Sequence, residues 1–311
     1  MVRFSGMLIL LVVLGYAGLA IWEGRLFPES LENLELPDFG DKEGGEQTTT
    51  PQQGPAESTP STQTPEATPA EKQPDFDSFD LYFAKAFDFG WPAYTTSQAV
   101  IERPYYTLRY NEEHEQAIWV SYALWADSLR QQTYERKNNF RKDPRVRTGS
   151  AELSDYKGSG YERGHLAPAG DFSYDEFALS QSFYLSNMSP QDPSFNKGVW
   201  KRLEDKVRDW AMENDKVYVV TGPVLNKSFK TIGSNKVSVP EYYYKIVLDI
   251  QKPGIKAIAF LMKNEKSSAS LESFVVSIDQ IERLTGLDFF PSMSDELESS
   301  LERTKSTAGW F

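Results

Sequence analysis

The chain has 311 residues, enough for one large domain or two ordinary ones, and its 40% hydrophobic and 14% aromatic content can fill a sizeable core. It has no cysteine, which excludes disulfides, thiolate zinc sites and cysteine nucleophiles. A formal net charge of −12 argues against a nucleic-acid partner until it is resolved by region.

Arg3 precedes an uncharged run of 19 residues, Phe4–Trp22, about the length of a membrane-crossing helix. Residues 1–22 are therefore expected to be a transmembrane anchor. A cleaved signal peptide also fits, with Met7–Ala20 as its apolar region and Gly18-Leu19-Ala20 at the cleavage site. The basic residue lies before the span and acids dominate after it, which puts the rest of the chain outside the cytoplasm, periplasmic or extracellular. Cleavage would make the protein secreted.

Residues 23–78 read as a disordered linker. Between Gly40 and Asp75 there is no Ile, Leu, Val, Met or aromatic residue, while Thr, Pro, Gln and Glu recur. The linker carries 13 acids and 3 bases, so residues 79–311 keep a net charge of only −3. The acidity belongs mostly to the linker, and local basic patches are permitted.

The folded domain is expected over 79–311. Tyr105–Tyr110 and Ala117–Leu124 alternate as two strands joined by a polar hairpin connection that holds His114, expected to be solvated. Arg136–Arg145 (RKNNFRKDPR) is basic and irregular, which is often only a solvated face, but it lies shortly before Tyr161–Asp171 (YERGHLAPAGD). That loop-prone stretch holds the other of only two histidines, His165, beside Gly164 and Arg163. Glu176–Leu185 has helical spacing, and Ser186–Phe195 is broken by Pro190 and Pro193. Gly198–Glu213 predicts an amphipathic helix with Val199, Leu203, Val207 and Trp210 inward. Three strands follow at Val217–Thr221, Tyr242–Ile250 and Ile255–Met262, and a last helix, Val276–Leu284, closes on Gly286. This order predicts a mixed α+β fold with a largely antiparallel sheet and packed helices.

Phosphodiester hydrolysis needs a base for water, positive charge for the developing phosphorane-like oxygens, and stabilisation of the leaving oxygen. An imidazole with an ordinary pKa near 6.5 suits the first task, and Arg163 can fork onto phosphate. A hard divalent ion suits the third, since few protein oxygens suffice to hold it. Without clustered histidines or cysteines the chain offers a poor zinc site.

Arg-Gly-His alone is a weak signal, and a histidine after glycine is more often structural. The wider pattern is specific. It comprises GSGYERGH, Asn187 before Pro190-Gln191, Asn196 through Trp200 to Leu203-Glu204, VVTGPVL at Val219–Leu225, VSVPEYYYKIVL at Val237–Leu248 and LTGLDFFP at Leu284–Pro291. Over residues 100–292 the chain resembles the DNA/RNA non-specific endonuclease family, enzymes of the ββα-metal or His-Me finger type that include endonuclease G.

The resemblance implies a Mg²⁺-dependent endonuclease (Mn²⁺ a substitute) acting on DNA and RNA and leaving 5′-phosphate and 3′-hydroxyl ends. His165 would be the general base. Asn196 would ligate the metal, with Glu204 holding a metal-bound water. Asn187 would orient the site. Arg136, in an R-x-x-N-F pattern, would stabilise the transition state, while Arg163 would sit near phosphate or brace the loop; Arg141, in the basic stretch, is a further candidate for substrate binding. On one continuous helix Asn196 and Glu204 would stand about 80° and some 12 Å apart, which suits the water-mediated role. Glu162 departs from the family's usual aspartate, a change expected to tune the histidine loop. A homodimer is left open. Two other readings are a non-catalytic nucleic-acid-binding module of the same fold and a phosphodiesterase acting on another cell-envelope substrate.

Overall fold

The computed structural model describes residues 91–94, 99–225, 230–251 and 254–311. The expected apolar span at 1–22, the linker at 23–78 and the domain's expected start at 79 lie outside the described residues. Among the described residues no helix is long and apolar enough to cross a membrane.

Val100–Glu102 (β1), Thr107–Asn111 (β2) and Gln116–Trp125 (β3) form a meander, and Ala126–Arg130 (α1) follows it. The expected hairpin is present, but its His114 is not simply solvated. The connection packs against a later strand, with His114 Nδ1 2.9 Å from Ser238 Oγ and burial lowering the imidazole pKa.

After Leu153–Tyr156 (α2), residues Glu162–His165 form a strand (β4) where a loop was expected. Beyond Glu176–Ser182 (α3), Met188–Gln191 (β5) pairs antiparallel with β4, setting Arg163 opposite Pro190 and His165 opposite Met188. Pro190 has no amide to donate, which a strand with a single ladder partner tolerates. Pro193 likewise starts structure. It sits in the first turn of Pro193–Phe195 (α4), whose N-cap, Asp192, accepts from the Ser194 and Phe195 amides.

The expected helix from Gly198 to Glu213 is dislocated. Asn196–Trp200 forms a wide π-turn in which Gly198 leaves helical space (φ −103°, ψ −111°), and Lys201–Glu213 (α5) restarts beyond it. The straight-helix relation between Asn196 and Glu204 therefore does not apply. The inward residues are as expected, with Val199, Leu203, Val207 and Trp210 all buried.

Lys216–Pro223 (β6), the short pair Thr231–Ile232 (β7) and Val237–Ser238 (β8), then Tyr242–Asp249 (β9), Lys256–Lys263 (β10) and Val275–Val276 (β11) complete the strands. The large sheet runs β1-β2-β3-β6-β9-β10-β11 with every neighbouring pair antiparallel. Strands β6, β9 and β10 are buried along nearly their whole length, which explains their continuous apolar runs. Ile278–Thr285 (α6) ends as expected at Gly286, whose φ of 69° suits a glycine cap. It is not the last helix. Asp295–Arg303 (α7) follows, hidden from pattern reading because Leu297 and Leu301 are its only apolar residues.

The small β4–β5–α5 unit is pinned to the large sheet through aromatic and hydroxyl contacts. Phe195 and Trp200 pack on Tyr243 of β9 with ring centroids 5.5 and 5.7 Å away. The Tyr243 hydroxyl donates to Pro190 O at 2.9 Å and lies 2.6 Å from Ser189 Oγ. Further along α5, Trp210 stacks on Phe260 of β10 and donates its indole N–H to Trp310 O.

Gly164 is required by space. A Cβ there would fall 2.1 Å from the side-chain carbonyl of Gln191, itself fully buried. Gly164→Ala should cost about 1–3 kcal/mol through overpacking, read as a lower denaturant midpoint. An unchanged midpoint would refute the close approach.

Candidate active site

A cavity of about 820 Å³ opens where β4, the 136–140 segment and the start of α5 meet. Its wall includes His165, Arg136, Arg163, Asn196 and Glu204. These residues come from three separate stretches of chain, each brought in by local structure.

His165 ends β4. Its ring lies 5.0 Å edge-on from Phe183 and 5.7 Å from Phe140, and it is 8% exposed. Nε2 is buried without a hydrogen-bond partner. Burial first, then the Arg136 and Arg163 charges, lower its pKa from 6.5 to about 3. At neutral pH the imidazole is uncharged.

Residues 136–140 pass this ring as irregular chain, with Asn138 in the left-handed region at φ 49°. The Arg136 guanidinium lies 5.2 Å from the Phe183 ring centre and its Nε donates to Asn138 Oδ1. Arg163 lies over Phe140 at 4.4 Å. Neither arginine forms an ion pair among the described residues. Lys197, Lys201 and Arg208 also line the cavity, but each has a carboxylate partner: Glu162, Asp205, and Asp171 with Asp205. The two arginines flanking His165 are thus the cations left for an anion.

Glu162 reaches across from β4. Its Oε2 accepts the Asn196 side-chain N–H at 2.8 Å, and its other oxygen pairs with Lys197. This bond fixes the Asn196 amide and leaves Oδ1 as the atom available for a cation. Glu204, on the first turn of α5, is partly buried, and that burial raises its pKa above the usual carboxylate range. Beneath it Lys245 of β9 lies fully buried over the Trp200 ring at 4.7 Å, its pKa lowered by burial. The oxygens of Asn196 and Glu204, with no cysteine in the chain and a single histidine in the wall, suit a hard divalent cation.

Asn187 does not line the cavity. It is fully buried behind it, where Oδ1 accepts the Ala167 N–H and Nδ2 donates to Ala167 O and Ser182 O, all at 2.8–2.9 Å. Arg141 is also absent from the cavity wall. It lies 4.0 Å over the Tyr184 ring and donates to Ser180 O and Oγ, so its charge bridges two segments of the fold. The sequence reading had placed it on substrate. That reading also missed Lys201 and Arg208, although both share the helix face of Glu204 at spacings of three and four. Asp171 was missed as well: it accepts from Arg208 and from the Tyr122 hydroxyl, tying α5 to β3 under the cavity.

A family model described as DNA/RNA non-specific endonuclease matches residues 86–296. The mitochondrial nuclease EXOG of Danio rerio is 35% identical over 219 residues, covering 64% of this chain and 64% of that protein. Human mitochondrial endonuclease G is 35% identical over 205 residues, 61% of this chain and 69% of its own. Nuclease C1 of Cunninghamella echinulata var. echinulata is 35% identical, covering 64% and 85%. Among solved structures, that of the EndoG/EndoGI complex, concerned with EndoG inhibition, superimposes with a TM-score of 0.62 at 30% identity. The superposition covers 66% of this chain and 90% of that one.

The buried imidazole carries a pH signature. Unfolded, it takes its proton near the ordinary value of 6.5, but in the fold only near 3. Between these values the unfolded chain binds more protons, so stability falls as pH drops through that window. Denaturant unfolding in EDTA from pH 7 to 4 should give a steeper loss for the native protein than for His165→Gln. Equal slopes would contradict the burial.

Proposed function

Because this chain belongs to the DNA/RNA non-specific endonuclease family, we propose that it is a divalent-metal-dependent endonuclease cutting DNA and RNA to 5′-phosphate and 3′-hydroxyl ends. The observation that carries the reading is the convergence, in one cavity, of a neutral imidazole, two guanidiniums without carboxylate partners and two oxygen-bearing side chains.

In this reading Arg136 and Arg163 receive the scissile phosphate, and their charge offsets that gained by its oxygens as water attacks. His165 takes the proton of that water as the new P–O bond forms. The P–O3′ bond breaks, and the departing oxygen becomes the 3′-hydroxyl on protonation. Asn196 through Oδ1, with Glu204 acting through a water, would hold Mg²⁺ or Mn²⁺, which when bound supplies positive charge at the leaving oxygen. Asn187 serves at one remove, by fixing the backbone just after His165. Glu162 serves similarly, by presenting the Asn196 oxygen.

Cleavage of plasmid DNA and of RNA by the purified chain tests the scheme. His165→Ala, or EDTA, should remove at least about 10²-fold of the rate, while circular dichroism shows the fold retained. Undiminished cleavage after either would overturn it. In the same assay titrated with Mg²⁺, Glu162→Ala should need roughly 10–100-fold more ion for half-maximal rate, because the Asn196 amide loses its partner.

The uncharged run Phe4–Trp22 with Arg3 ahead of it supports a membrane-anchored or secreted nuclease domain outside the cytoplasm. Added protease should reach the domain on intact cells of the producing organism, or the domain should appear in the medium. Full protection until lysis would contradict that placement.

A further inference from the structure

Five carboxylates gather far along the chain from the residues above. Asp279 and Glu282 come from α6, Asp288 from the connection after it, and Glu298 and Glu302 from α7. One oxygen from each of Asp279, Glu282 and Glu302 lies within 4.8 Å of the others, and the same is true of Asp288, Glu298 and Glu302. That is the spacing of ligands around one ion, since two oxygens each about 2.4 Å from a cation are at most about 4.8 Å apart. Glu302 belongs to both sets and joins them.

A second observation separates this cluster from ordinary surface acidity. Glu302 is 8% exposed and its side chain hydrogen-bonds to that of Glu282, but its Oε1 is buried with no hydrogen-bond partner, as is Oε1 of Glu298. None of the ion pairs among the described residues involves any of the five. Carboxylate oxygens removed from water and left without a cation or donor are strongly disfavoured. Glu282 is held in place by the Phe289 amide, which donates to its Oε1 at 2.8 Å. None of the five lines the cavity that holds His165.

We propose that Asp279, Glu282, Asp288, Glu298 and Glu302 form a second divalent-cation site, of calcium class, that fastens α7 to α6. The donor set selects the ion. Calcium takes six to eight oxygens in flexible geometry, and either trio of carboxylates, with water, can supply them. Magnesium is usually held by only one or two carboxylates, and zinc prefers nitrogen and sulfur. The site is independent of the nuclease reading.

Thermal unfolding of the full chain tests it, using an Asn196→Ala/Glu204→Gln background that removes the candidate active-site donors. At pH 7.5, millimolar CaCl₂ should raise the midpoint by about 5 °C over EDTA. Isothermal titration of this background should find calcium bound at the cluster. Glu298→Gln/Glu302→Gln should abolish the calcium response yet melt higher than its parent in EDTA, because like charges have been removed. The order of the two proteins therefore reverses with calcium. If that double variant does not fold, Asp279→Asn, at a partly exposed position, should weaken calcium binding about tenfold. Absence of a calcium shift in the background, or a shift that survives these substitutions, overturns the proposal. Stabilisation by acid alone without a calcium response would mark carboxyls sharing protons, and overturns it equally.

Discussion

The geometry around His165 depends on the buried side chain of Asn187. Its amide closes on both polar groups of Ala167 and reaches Ser182 O, while its backbone accepts from Leu166 and donates to Tyr184 O. Every polar group of this asparagine is matched inside the protein. One residue thereby joins the exit of β4, the end of α3 and the entry to β5. Loss of such a side chain would leave buried backbone groups unmatched, at about 1–3 kcal/mol each. It would also free the two residues that set the direction of the imidazole.

With the backbone fixed, charge is arranged by exclusion. Glu162, Asp205 and Asp171 are engaged by lysines and by Arg208, whereas Arg136 and Arg163 contact aromatic faces. An aromatic face steadies a guanidinium without cancelling its charge. Burial keeps His165 neutral and the same two cations add to it, so the groups that would attract phosphate also help keep a proton off the imidazole. Lys245, buried under Trp200, stands close enough to Glu204 to moderate the effect of burial on that carboxylate.

Much of the fold was legible because its strands and α5 follow simple periodicities. Thr107–Asn111 and Gln116–Trp125 are short runs rich in β-branched and aromatic residues joined by a polar turn, β9 and β10 are continuous apolar runs, and Leu203, Val207 and Trp210 repeat at helical spacing. What escaped was set by tertiary partners. β4 looks like loop from its own residues and becomes a strand only because β5 supplies hydrogen bonds through a segment containing a proline. The break at Gly198 leaves no mark on the hydrophobic pattern, since Val199 and Trp200 are buried on either reading. In the candidate site, motif spacing brought out the residues that face the cavity. Arg141 stands apart from the cavity, and a basic stretch does not disclose which of its cations are already stacked and hydrogen-bonded. Lys245 was passed over because a lysine within an apolar strand is invisible to pattern reading until its neighbours are known.

The lack of carboxylate partners at Arg136 and Arg163 has a kinetic consequence. The chain as a whole is an anion of net charge −12, most of it between residues 23 and 78, so a nucleic acid is repelled at a distance. Attraction by two arginines takes over only within about one Debye length, roughly 8 Å at physiological ionic strength. Raising the salt concentration then speeds approach and weakens capture together. For the nuclease activity proposed above, turnover would peak at an intermediate ionic strength, unlike that of a basic nuclease, whose approach and capture are both weakened by salt.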